Sequence, residues 1–145
     1  MSSVQLTDNK EVCKRILDAA NAHDEELLSQ TVDALFDPDV RMTTPLPMQA
    51  TGVEAIKLVF TTLHRAFPDL HVEVVEMIAE GNAVAVRNTV TGTHKGGEYM
   101  GLPATGKSVT YNEIFIFRVE GGRVTETFGV VDVLTQMKQL GVLPS

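Results

Sequence analysis

The sequence contains a single cysteine, Cys13, among its 145 residues. One thiol excludes an internal disulfide and any metal centre built from several thiolates. Cys13 falls in a helical pattern, which favours buried packing over a reactive thiol. The sequence also lacks an apolar run long enough for a membrane-spanning helix, and its first residues lack the basic and then apolar order of a signal peptide. We therefore expect one globular domain over residues 1–145, located in the cytoplasm.

Basic residues are in the minority, because 12 lysines and arginines face 19 aspartates and glutamates, which leaves a net charge of −7. They are scattered and form no basic stripe. Nucleic acids and anionic membranes bind basic surfaces, where counterions are released, so we expect neither as a partner. His23, His64 and His71 show no metal-ligand spacing with one another or with the carboxylates, and we expect no metal site.

Residues 101–108, GLPATGKS, match the G-x-x-x-x-G-K-[ST] pattern of a phosphate-binding loop. Such a loop needs a buried strand before it and a helix N-terminus after it, because the loop amides and the helix dipole hold the phosphate together. Here the preceding THKGGEYM is no buried strand, and the following VTYNEIFIF favours β structure. We therefore interpret the match as accidental and the segment as a loop between two strands.

Hydrophobic periodicity places helices in the first half of the chain and strands in the second. The expected helices cover residues 8–22, opened by a capping box from Asp8 to Glu11, then 27–36 and 52–67. A short strand is expected at 40–45, after the sequence FDPDV stops the second helix. Longer strands are expected over residues 70–81, 82–92, 108–119 and 123–131, before a short helix over 133–141. This order predicts an α+β domain, with an antiparallel sheet curved around helices packed on one face.

Several segments resemble the SnoaL-like polyketide cyclase family in the same order: AFPDLHVEV, AVAVRNTVTG, GTHKGGEYMGLPATGKSV, IFIFRVEGGRV and GVVDVL. The resemblance spans about residues 10–141. It implies a cone-shaped, cystatin-like α+β barrel, in which a curved antiparallel or mixed sheet wraps the N-terminal helices. That fold is shared with ketosteroid isomerases, limonene epoxide hydrolases and nuclear transport factors. The resemblance also implies one deep, mostly apolar pocket, and dimers or higher oligomers packed sheet to sheet.

The family's cyclases close a ring by intramolecular aldol condensation without metal or cofactor, and the resemblance implies the same cofactor-free chemistry here. Three positions depart from the cyclase pattern. An acid/base aspartate on the last strand corresponds to Gly129, a histidine on the preceding strand to Phe115, and an asparagine on the first strand to Met42. None of these three side chains moves protons, so the usual cyclase constellation is absent.

A carboxyl group on the penultimate strand offers different chemistry. Because side chains alternate along a strand, Tyr111, Glu113, Phe115 and Phe117 share one face. If that face points into the pocket, loss of hydration raises the pKa of Glu113 and makes it a usable general base or acid. Tyr111 could then stabilise an enolate oxygen. In the alternative interpretation the face is exposed, Glu113 is solvated and Phe115 lies at a dimer interface.

Three further polar residues are candidates. Asp132 is expected to cap the last helix, although it could also reach the pocket mouth. Asn88 is expected to face inward, where it either binds substrate or finds a hydrogen bond within the core. His94 is expected to pack its loop rather than to act in catalysis.

We expect a cofactor-free enzyme that acts on a small apolar cyclic or polyketide-like molecule, with Glu113, Tyr111, Asn88 and Asp132 as candidate catalytic residues. The candidate substrate-binding residues are apolar or small and face the expected pocket: Met42, Thr44, Phe60, Leu63, Phe67, Phe115, Phe117 and Phe128. The alternatives are a hydroxylase-like relative, a binding or auxiliary protein with the same pocket, and an interaction module like the nuclear transport factors.

Overall fold

The computed structural model describes residues 2–46 and 48–144. In these ranges four helices and five strands follow one another as α1 Ser3–Asn21, α2 Glu25–Leu35, β1 Phe36–Thr43, α3 Gly52–Ala66, β2 His71–Glu80, β3 Ala83–Thr93, β4 Ser108–Glu120, β5 Arg123–Val131 and α4 Val133–Gln139. None of the helices in the described ranges is both long and apolar enough to span a membrane.

The strands form one mixed sheet in the order β1-β5-β4-β3-β2. The four strands from β2 to β5 are an antiparallel meander, and β1 joins its end parallel to β5. Helices α1 and α3 pack against the sheet, α1 mainly on β2 and α3 mainly on β1. The predicted α+β class, with a curved sheet around the N-terminal helices, is confirmed.

Helix α1 begins earlier than the sequence interpretation proposed. Its N-cap is Ser2, whose hydroxyl accepts a hydrogen bond from the Gln5 backbone N–H at 3.1 Å. Asp8 and Glu11 therefore lie inside the helix, and the predicted capping box is wrong. The stretch Ser2 to Gln5 also matches a capping-box pattern, S-x-x-Q, six residues upstream of Asp8. Cys13 is fully buried in this helix, and burial raises the pKa of its thiol to about 12.

Strand β1 also begins earlier than predicted, because it includes Pro38 and follows α2 without a loop. Proline lacks a backbone N–H and is tolerated in an edge strand, where a ladder hydrogen bond can be spared. β1 is the edge strand next to β5, and its register shifts between Phe36 and Arg41. The predicted strand over 40–45 was therefore too short at its beginning and too long at its end.

The segment that resembles a phosphate-binding loop connects β3 to β4 and leads into a strand, not a helix. His94 is fully buried at its base, where its ring contacts Thr105 Oγ1 at 3.2 Å and the Gly97 carbonyl oxygen at 3.0 Å. The backbone N–H of Gly97 donates to the carbonyl of Arg65 at the end of α3, which satisfies one of the helix's unpaired carbonyls. The loop interpretation is confirmed, and His94 packs the loop.

The outer face of the sheet carries an exposed apolar patch made of Ile114, Ile116, Phe128 and Val130. Ile114 is paired with Val130 and Ile116 with Phe128 across β4 and β5.

Phe128 is 49% exposed on this face, so its predicted place in the pocket is wrong. On β5 the side chains that face inward belong to the odd-numbered positions Thr127, Gly129 and Val131, so Phe128 faces outward. A sheet-to-sheet dimer would use this face, and that dimer stays a prediction.

Phe115 and Gly129 are cross-strand partners on the inner face of β4 and β5. A Cβ atom at position 129 would overlap the aromatic ring of Phe115. The phenylalanine therefore occupies the space that any side chain at position 129 would need. Two of the three positions that depart from the cyclase pattern, Phe115 and Gly129, are therefore explained by a single packing contact.

We predict that Gly129→Ala lowers the free energy of unfolding by about 1–3 kcal/mol, since the added methyl group overpacks the inner face. Urea denaturation monitored by circular dichroism measures the change. Gly97→Ala is the matched control, because a Cβ atom there meets only ordinary contacts. In the double variant Gly129→Ala/Phe115→Leu the two effects should couple by about 1 kcal/mol. Simple additivity would show that the two side chains do not compete for space.

Candidate functional site

A cavity of about 100 Å³ lies between the inner face of the sheet and helices α1 and α3. Its wall is largely apolar, and six of the predicted substrate-binding residues border it: Met42, Thr44, Phe60, Leu63, Phe115 and Phe117. Ligand pockets in proteins commonly measure about 300–1,000 Å³, whereas a cavity of about 150 Å³ holds one benzene molecule. At about 100 Å³ the cavity is smaller than either, so a ligand larger than one small ring requires the wall to move outward.

Two other predicted site residues lie away from the cavity wall. Phe67 is fully buried where α3 ends, and its ring packs against His94 and Tyr99 at centroid distances of 5.3 and 5.1 Å. It is a core residue, so its predicted ligand contact is wrong. Asp132 caps α4 and accepts hydrogen bonds from Thr135, which lower the pKa of its carboxyl group. Its side chain borders no part of the cavity, and the alternative of a reach to the pocket mouth is wrong.

Glu113 borders the cavity from the middle of β4. It lies between two cross-strand partners, Asn88 on β3 and Val131 on β5, and both of them also border the cavity. Loss of hydration raises the pKa of the Glu113 carboxyl group to about 7, while hydrogen bonding to Asn88 opposes the rise. A carboxyl group with this pKa exists in both protonation states near neutral pH.

Asn88 faces inward from β3 and is 1% exposed. Its Oδ1 atom has no hydrogen-bond partner among the described residues, although it is buried. A buried amide oxygen without a partner costs free energy, so this atom is a vacant acceptor beside the carboxyl group of Glu113.

Two tyrosine hydroxyls converge on the side-chain amide of Gln136, and all three residues border the cavity. The Tyr99 hydroxyl donates to Gln136 Oε1 at 3.0 Å. Burial and the nearby Glu113 raise the pKa of the Tyr111 hydroxyl, while Gln136 opposes the rise. Burial likewise raises the pKa of Tyr99. The Tyr111 hydroxyl therefore lies close to the Gln136 amide at the cavity wall.

Gln136 is fully buried, and its Nε2 atom has no acceptor among the residues that the structure describes. The helix that carries it is held at both ends. Asp132 caps the N-terminus, and the Gln139 side chain exchanges two hydrogen bonds with the Thr110 backbone of β4, at 2.8 and 3.0 Å. These contacts set the position of the Gln136 amide beside the inner face of β4.

Gln136 and Tyr99 are the site residues that sequence reasoning missed. α4 is only seven residues long and exposes Leu134 while burying Gln136, which is opposite to the order that hydropathy predicts. Tyr99 lies in the loop between β3 and β4, where no periodicity indicates which side chains point inward. The one available signal was the position of Gln136 one turn after the Asp132 cap.

The cavity thus combines an ionisable carboxyl group, a vacant amide acceptor and a vacant amide donor in apolar surroundings: Glu113, Asn88 Oδ1 and Gln136 Nε2. A carboxylate of raised pKa can remove a weakly acidic proton, and an N–H group can stabilise the oxygen anion that results. The three positions that depart from the cyclase pattern supply only apolar wall or space.

We predict that the raised pKa of Glu113 makes the fold less stable as the pH rises. The folded protein binds this proton more tightly than the unfolded chain, so the contribution is complete below about pH 4.5 and is lost as the pH passes through about 7. Between pH 5 and pH 8 the loss is about 2 kcal/mol. Urea denaturation of the parent and of Glu113→Gln at both pH values isolates the contribution of Glu113, because the glutamine has no carboxyl group to titrate. Parallel pH profiles would contradict the prediction.

The family model of SnoaL-like polyketide cyclases matches residues 10–140, whereas no curated protein matches the chain. Among solved structures, AclR of Streptomyces galilaeus, a proposed hydroxylase, is 30% identical with a TM-score of 0.80, covering 97% of this chain and 85% of that one. IdmH of Streptomyces antibioticus, a proposed polyketide cyclase, is 27% identical with a TM-score of 0.74, covering 92% and 98%. A proposed SnoaL-like polyketide cyclase of Jannaschia sp. CCS1 shares the fold at 24% identity and a TM-score of 0.86, covering 99% and 98%. The chain belongs to the SnoaL-like polyketide cyclase family.

Proposed function

We propose that this protein is a cofactor-free enzyme that removes a proton next to a carbonyl group of a small apolar molecule, with Glu113 as the general base. One observation carries the proposal: a carboxyl group with a pKa of about 7 borders an apolar cavity. General acid–base catalysis is most efficient when the pKa of the base lies near the working pH.

In the proposed reaction the Glu113 carboxylate takes a proton from the carbon adjacent to the carbonyl group. The electron pair of that C–H bond moves toward the carbonyl, and the negative charge settles on the oxygen as an enolate. In an unsaturated ketone the charge also spreads to the far carbon of the conjugated double bond, and protonation there by the same Glu113 gives an isomer. Alternatively, the enolate carbon attacks a second carbonyl carbon of the same molecule, a C–C bond closes the ring, and the new alkoxide takes up the proton.

The apolar wall supports this reaction in two ways. It keeps water from solvating the carboxylate, which would lower its basicity. It also favours an apolar substrate over a polar one, with Phe60, Phe115 and Phe117 as flat surfaces for a ring. A cyclic or polyketide-like substrate is in keeping with the proposed activity of the relative IdmH.

A second candidate is a binding or auxiliary protein that holds the same kind of molecule without reaction. The packing of Phe115 over Gly129 favours it, because the positions that carry acid and base groups in the cyclases form an apolar wall here. Because AclR is a proposed hydroxylase, a hydroxylase-like reaction in the same cavity is a further alternative.

Hydrogen exchange tests the first candidate without knowledge of the natural substrate. Cyclopentanone is a ring of suitable size, and exchange of its α-protons in deuterium oxide is followed by NMR. We predict exchange above the buffer rate, increasing with pH through about 7 as Glu113 ionises. Glu113→Gln should lower the enzymatic rate by at least about 100-fold, since general-base catalysis commonly contributes this much.

The matched control for that experiment is Glu76→Gln, which removes an exposed carboxylate that pairs with Arg87 on the sheet surface. It should leave the exchange rate unchanged. Exchange at the buffer rate with the parent protein, or at the parent rate with Glu113→Gln, would argue for the binding protein instead.

A further inference from the structure

We propose that the side-chain amide of Gln136 holds the carbonyl oxygen of the ligand, through its Nε2–H group. This inference rests on the proposed function, because an enolate oxygen needs a donor near Glu113. It assigns that role to a residue outside the set of positions that carry the cyclase pattern.

The orientation of the amide follows from its neighbours. The Tyr99 hydroxyl donates to Gln136 Oε1 at 3.0 Å. An amide whose oxygen is engaged by a phenol presents its NH₂ group on the other side. That NH₂ group is buried at the cavity wall and has no partner among the described residues. A buried donor left vacant in this way is costly in the absence of a ligand.

Four other polar groups along the wall are less suitable as donors. The Tyr99 hydroxyl is engaged with Gln136 Oε1. Burial and the nearby Glu113 raise the pKa of the Tyr111 hydroxyl, which weakens it as a donor, and Asn88 lies directly across the strands from Glu113. Thr127 also borders the cavity, but it pairs with Phe117, four residues along β4 from Glu113. That separation corresponds to about 13 Å along a strand. Gln136 meets β4 at Tyr111, only two residues from Glu113.

The ligand chemistry follows from the donor. A carbonyl or enolate oxygen accepts hydrogen bonds and donates none, so it pairs with Nε2–H and is repelled by the ionised carboxylate. The vacant Asn88 Oδ1 atom accepts a hydrogen bond, and it suits a hydroxyl group elsewhere on the ligand. The two groups together suit an apolar ring that carries both a carbonyl group and a hydroxyl group.

A binding experiment tests the role of Gln136 apart from catalysis. Cyclopentanone and methylcyclopentane have the same ring and the same number of non-hydrogen atoms, but only the ketone carries an acceptor. At pH 8, where Glu113 is ionised and cannot donate, we expect Gln136→Met to weaken cyclopentanone binding about tenfold, as loss of one hydrogen bond implies. Binding of methylcyclopentane should change less than about twofold. In addition, the C=O stretching frequency of bound cyclopentanone should rise in the variant, because the hydrogen bond that lowers it is gone.

Gln30→Met is the matched control, since it makes the same change on α2, away from the cavity wall, and removes only the contact to Glu26. It should leave the preference for the ketone and the stretching frequency unchanged. Tyr99→Phe provides a second test that keeps Gln136 and frees its amide oxygen. It should reduce the ketone preference about threefold, because the amide is then free to rotate. Equal weakening of both ligands by Gln136→Met, or no weakening of either, would overturn the proposal.

The outcomes separate this inference from the proposed reaction. If Gln136→Met loses the ketone preference and the parent protein catalyses no α-proton exchange, the amide binds the oxygen and the enzymatic proposal fails. If exchange depends on Glu113 while ketone affinity is unchanged in Gln136→Met, the role of Glu113 as general base is supported and the role of Gln136 as donor is refuted.

Discussion

The cost of ionising a carboxyl group away from water is the constraint on which the site depends. Glu113 lies on the inner face of a central strand, and neither Asn88 nor Val131 offers it a cation. Its charge is therefore poorly compensated, and the proton is held until the pH approaches about 7. The fold tolerates this cost because an extensive sheet and three packed helices provide stability elsewhere.

The two positions that the family resemblance assigns to the cyclase acid and base are occupied by a packing pair in this chain. Phe115 covers Gly129 across β4 and β5, so a change at one position requires a change at the other. Our proposal assigns the proton transfer instead to Glu113, one inward position along β4. The same barrel can thus support a proton transfer from a different strand position, as expected when function depends on the site instead of the fold.

Most of the fold was predictable from the sequence, because alternation along β3, β4 and β5 indicates the strands and which residues share a face with Glu113, although the sequence left open whether that face points inward. The prediction failed where local patterns compete or are short. Ser2 and Asp8 both open a plausible capping box, and Pro38 hides a strand that only its edge position allows. Phe128 was misplaced because the inward face of β5 is set by its register with β4. Gln136 and Tyr99 were missed because they reach the cavity from a short helix and a loop, where their directions are determined by tertiary contacts.

The seven residues of α4 are too few to form a stable helix alone. Its attachment relies on one cap and on the paired contacts of Gln139 with β4. The polar groups of the cavity therefore differ in rigidity. Glu113 and Asn88 lie on central strands of the sheet, whereas Gln136 lies on a short helix that can open locally without unfolding of the sheet. Substitutions in α4 can therefore change which molecules the cavity accepts while the carboxylate on β4 stays in place.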